Sequence, residues 1–134
     1  MSCNPSDFYE LAQNLSKNDD EVSLRACISR GYYSAYHYAL SYVFSDKDTS
    51  DEPNSWIGGE GGVHQKLISH LEKSKNIKEK SVGYILRDLR AKRVIADYYL
   101  NDNLHKEDAE TMFKMIDSLI EKLGIDTKLQ IINK

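Results

Sequence analysis

Arg30 and His37 are a pair whose types and spacing suit chemistry. Seven residues is nearly two helical turns, so in a helix both side chains leave one face about 10 Å apart along the axis. Histidine moves a proton near neutral pH, and a guanidinium holds the charge that builds on a phosphate in a transition state. Together they suit cleavage of RNA by its own 2′-hydroxyl, with His37 as acid or base, Arg30 on the phosphate, and neither metal nor cofactor. The plainer alternative pairs Arg30 with a carboxylate and leaves His37 satisfied among tyrosines, the usual state of buried polar groups.

A second group lies in LRDLRAKRVIADYYL, where Arg87, Arg90 and Arg93 step by three residues with Lys92 nearby. Guanidiniums in such a spiral can grip phosphate bidentately. Asp97, four residues beyond Arg93, is also placed to neutralise it, and a solvated, ion-paired face is the competing reading. Tyr98 follows Asp97 and joins the candidate binding residues. His64 opens a helix at the edge of a loop holding Gly58, Gly59, Gly61 and Gly62. Backbone N–H groups of glycine-rich loops can cradle phosphate. Here no Lys-Ser or Lys-Thr follows and Glu60 brings negative charge, so the loop reads as a connector. His64 and His70 are six apart and leave different faces, which argues against a metal site, and Cys3 and Cys27 lack zinc-ligand spacing and read as free thiols.

Five helices must position these groups. Asn4 and Pro5 start one over 5–17, with Phe8, Leu11, Ala12 and Leu15 at helical spacing. Asn18 and Glu21 have capping-box spacing and start a second over 19–44, apolar round most of its circumference and therefore central. Residues 45–61 form a long acidic loop. Helices over 62–75, 77–101 and 105–123 follow, Gly83 being tolerated in the fourth and Gly124 closing the fifth. The tail 125–134 could extend a helix, form an edge strand or dock on a partner. With no alternating strand pattern and no internal repeat, the chain reads as one all-α domain, an antiparallel bundle of about five helices. No run of eighteen apolar residues and no leader pattern is present, so no membrane association and a cytoplasmic location are expected. The net charge of −3 provides no global field for nucleic acid.

RGYYSAYH at 30–37, His64 after a variable loop and LRAKRVIADYY at 89–99 together resemble the HEPN superfamily, and most of all its small stand-alone proteins. The likeness spans roughly residues 8–123. It implies a helical bundle that forms a homodimer and binds RNA or a nucleotide. It also implies metal-independent ribonuclease chemistry within a toxin–antitoxin or other defence module, often with a nucleotidyltransferase-like partner. A non-catalytic nucleotide-binding or partner-binding module is the other role the resemblance allows. The family's catalytic signature is an arginine, four to six residues, then a histidine on a late helix. In this chain Asp97 stands about where that histidine would fall after Arg93, while Arg30 and His37 satisfy the spacing on an earlier helix.

Overall fold

The computed structural model describes residues 3–44 and 61–125. The expected loop up to Glu60 and the tail beyond Ile125 therefore lie outside the described residues, as do Gly58 and Gly59. Five helices are present: α1 (Pro5–Leu15), α2 (Glu21–Phe44), α3 (Val63–Glu72), α4 (Ile77–Tyr98) and α5 (Lys106–Lys122), with no strand among the described residues. The protein is a helical bundle, as its apolar periodicity requires. No helix among the described residues is long and apolar enough to cross a membrane.

α2 is one unbroken rod, and its start differs from expectation. Asp20 rather than Asn18 caps it, accepting from the Ser23 N–H at 2.9 Å, while Asn18 reaches the Ser23 hydroxyl. Glu21 is thereby freed to pair with Arg25 at 3.4 Å and to accept from the Leu104 N–H. The other helices end a few residues inside the predicted spans. Asn76 accepts from the Lys78 and Glu79 N–H groups and fixes the start of α4. Past Leu123, Gly124 adopts a positive φ of 70°, and the Ile125 N–H returns to the Ile120 carbonyl, which closes α5.

Contacts at the helix ends fix their directions. The first turns of α2 meet the last turn of α4 through Arg25, whereas Tyr42 near the end of α2 donates to Glu79 in the first turn of α4 at 2.6 Å. α2 and α4 are thus antiparallel. α5 runs parallel to α2, since Glu21 lies by Leu104 and Gly31 by Met112. Tyr32, Tyr38, Leu67, Ile68, Leu86, Leu89, Met112, Ile116 and Leu119 fill the core between them.

Two glycines set helix separations. A Cβ on Gly31 would lie 2.3 Å from Met112 Sδ, and one on Gly83 would lie 2.8 Å from the Glu72 backbone nitrogen. Gly83 therefore allows α3 and α4 to touch backbone to backbone, which repays its low helix propensity.

Arg25 shapes the site although it is not among the candidate residues named from the sequence. It is 7% exposed, and its guanidinium donates to the carbonyls of Ile95, Ala96, Tyr99, Leu100 and Asp102. A cation on the carbonyl end of a helix satisfies acceptors that have no intrahelical partner. The end of α4, with Asp97 on it, is held against α2 by this side chain.

Candidate functional site

The candidate residues converge where α2, the first turn of α3 and the C-terminal half of α4 meet. Tyr32 is wholly buried, and its hydroxyl lies 2.6 Å from His64 Nδ1. The imidazole is walled by three rings, with centroids 5.5 Å away for Tyr32, 5.9 Å for Tyr33 and 4.5 Å for Tyr36. On the α4 side, the Arg93 guanidinium lies 5.6 Å from the Tyr32 ring centroid and 5.8 Å from that of Tyr33. Arg90 donates to Gln65 at 3.3 Å, next to His64 in the chain. Arg30 covers the other part of Tyr33, 4.6 Å from its centroid. Three tyrosines thus wall one histidine, the charges of Arg90 and Arg93 act on it, and Arg30 joins the group through Tyr33.

Asp97 braces this group. Its Oδ2 is 3.4 Å from Arg93 Nη1 and accepts from the Ser29 hydroxyl at 3.2 Å, while Arg30 donates to the same hydroxyl at 3.3 Å. Ser29, Asp97, Arg93 and Arg30 form one connected network across α2 and α4. Arg93 Nε is buried without a hydrogen-bond partner among the described residues.

The electrostatics follow from the crowding. Burial first, and then the charges of Arg90, Arg93 and His37, push His64 down to about 4, so its imidazole is neutral at pH 7. Burial raises the Tyr32 hydroxyl, which stays protonated. Two proton placements satisfy the short contact. If Tyr32 donates to Nδ1, His64 carries its proton on Nε2 and is a neutral donor. If Nδ1–H donates to Tyr32, Nε2 has a free lone pair and is a base.

The sequence candidates do not all meet. His64, Arg90, Arg93, Asp97 and Arg30 are brought together. His37 sits at the margin, stacked on Phe8 of α1 at 5.3 Å and edge-on to Tyr36 at 5.2 Å, with burial lowering its pKa. It is near enough for its charge to act on His64. Tyr98 is 68% exposed on the last turn of α4, and no contact joins it to the cluster. The stepwise arginines also separate, because Arg87 makes a bidentate pair with Glu72, at 2.8 and 2.7 Å, on the outer side of α3.

Ser29, Tyr32, Tyr33 and Tyr36 belong to the site without being chosen by spacing. The signal for the three tyrosines is the run YYSAY, which a purely apolar helix face does not need, while Ser29 has no such signal. Among the described residues no group of His, Cys, Asp and Glu is arranged to hold a metal ion. In comparisons with known proteins, no family model, no curated protein and no solved structure matches the chain.

Proposed function

We propose that this chain is a HEPN-type RNA-binding protein of a toxin–antitoxin or defence module, which holds an RNA phosphate at the His64 cluster and cleaves the strand there without metal. The observation that carries the reading is the neutral His64 beside Arg90 and Arg93 and walled by tyrosine rings, one of which Arg30 covers. Guanidiniums suit phosphate oxygens, and aromatic walls suit a stacked base. In the cleavage step His64 Nε2 takes the proton of the ribose 2′-hydroxyl and O2′ bonds to phosphorus. The P–O5′ bond breaks, the departing oxygen takes a proton from water, and the hydroxide so formed takes the proton back from His64, leaving a 2′,3′-cyclic phosphate and a neutral imidazole. Arg90 and Arg93 hold the charge on the phosphoryl oxygens. Arg30 lies across the same phosphate, and His37 is the neighbouring titrating group at the rim. The proposed setting is a cytoplasmic homodimer.

Incubation of purified protein with single-stranded RNA in EDTA tests this. Wild type is expected to yield cyclic-phosphate ends, H64A to lose about 10²- to 10⁴-fold in rate, and R90A and R93A to lose RNA affinity in anisotropy titrations. Wild type that binds no RNA, or binding indifferent to both arginines, would refute the proposal.

A second reading keeps the binding and drops the cleavage, serving a nucleotide or a nucleotidyltransferase-like partner. It is favoured by Asp97, which already neutralises Arg93 where the family signature has a histidine, and by the proton placement in which Tyr32 occupies His64 Nδ1. Under it RNA is bound with the same arginine dependence and remains intact.

A further inference from the structure

We propose that the end of the bundle formed by the start of α2 and the turn after α4 is a docking surface for a basic amphipathic helix of a partner protein. Four large apolar side chains stand out there: Val22 at 73% exposure, Tyr98 at 68%, Tyr99 at 56% and Leu100 at 69%. They share one patch. Glu21 accepts from the Leu104 N–H, and Arg25 donates to the carbonyls of Tyr99, Leu100 and Asp102, so Val22, between the two on α2, borders the turn. Together the four present roughly 400 Å² of apolar surface, the size at which a patch on a monomer marks an interaction site. The buried Arg25 guanidinium also pins the turn from beneath, so little ordering is left for a partner to impose.

The rim selects the occupant. Asp20 and Asp102 are exposed and, among the described residues, neither is paired with a cation, while Asp19 pairs with Lys106 and Glu21 with Arg25. RNA phosphate or an anionic lipid surface would meet like charge there. A second copy in isologous contact would set the same carboxylates against each other. A partner with Lys or Arg around an apolar core complements both the patch and its rim. Its backbone should be helical. With no strand among the described residues there is no sheet edge for an extended peptide to join, and its N–H and C=O groups would lose water without gaining partners. A helix bonds those groups internally and offers its apolar stripe. Docking here does not require that RNA be held at the His64 cluster.

Fluorescence anisotropy of a labelled leucine–lysine peptide in amphipathic helical order, titrated with the full chain, tests this. Saturable binding is expected, weakened about tenfold or more in V22S/L100S and both weaker and less salt-dependent in D20N/D102N. I77S should bind like wild type, since Ile77 is as exposed but lies at the other end of α4. All five positions are exposed, asparagine preserves the cap at Asp20, and circular dichroism of each variant checks that the bundle is retained. The leucine–glutamate counterpart of the peptide should not bind. Absence of saturable binding, equal binding of the glutamate peptide, or wild-type affinity in V22S/L100S would overturn the proposal. So would a V22S/L100S chain that loses RNA affinity, binding to anionic vesicles or self-association seen in wild type, because each assigns the patch to a different occupant.

Discussion

Replacing Arg25 by alanine removes the guanidinium that closes the end of α4. Its Nη1 reaches Ile95 at 3.2 Å, Ala96 at 3.0 Å and Tyr99 at 3.3 Å, and its Nη2 reaches Leu100 at 3.4 Å and Asp102. The Ile95 carbonyl also receives the Tyr99 N–H, and the Tyr99 carbonyl receives the Asp102 N–H, so those two keep a partner. Ala96, Leu100 and Asp102 lose theirs. Only the Ala96 bond is buried, and the Leu100 and Asp102 carbonyls belong to exposed residues that water can reach. At about 1–3 kcal/mol for a buried acceptor left unpaired and less for the other two, the loss is about 2–4 kcal/mol. The ion pair to Glu21 adds little, because that carboxylate is 47% exposed. For a chain of this size the melting temperature should fall by about 10–15 °C. Urea and thermal unfolding followed by far-UV circular dichroism measure both quantities. Arg25→Lys keeps the charge and loses the fork, and should recover only part of the stability. An alanine variant within about 1 kcal/mol of wild type, or a lysine variant no better than alanine, would refute the capping role.

Stability should also depend on pH through His64. Its folded-state value of about 4 lies below the usual 6.5, so the folded chain binds fewer protons there than the unfolded chain. The contribution is therefore complete above pH 6.5 and lost as pH falls from 6.5 toward 4, and urea midpoints of wild type should drop across that window more than those of H64Q. Equal slopes would remove the linkage. Cys27 is fully buried with its thiol pushed up to about 11, whereas Cys3 is exposed, so a thiol reagent at neutral pH should label Cys3 alone until the protein is unfolded. Gly83→Ala should destabilise more than Gly31→Ala, because its new Cβ meets the Glu72 backbone while that of Gly31 meets the end of the flexible Met112 side chain. Parallel denaturation curves give the order directly.

Helical periodicity made the bundle legible, because Leu, Ile and Ala at three- and four-residue steps leave few other ways to bury the chain. Caps were less so. Asn18 and Asp20 both stand before α2, and only the position of Ser23 shows that Asp20 is the cap. The site was half visible. His64, Arg90, Arg93 and Asp97 could be named from type and local spacing, but the meeting of His64 with Tyr32, thirty-two residues earlier, depends on how α3 approaches α2. Likewise Arg87 looks like a neighbour of Arg90 and Arg93 until Glu72 claims it from another helix. Arg25 had a signal that could have been used. It stands beside Leu24 and one turn from Ile28 and Ser29, on a stripe that reaches the core, where an arginine needs a set of acceptors.

Ser29 is a hydroxyl in a buried place where alanine would pack about as well. Apolar helix faces can slide past one another by a turn, about 5.4 Å, and still bury similar area. Such a slip of α4 along α2 would put Arg93 where Asp97 now stands, opposite Ser29 and Arg30, and set one guanidinium against another. The Ser29–Asp97 bond acts as an index mark, adding little to the adhesion of the two helices while selecting one alignment among those that the apolar seam alone would tolerate.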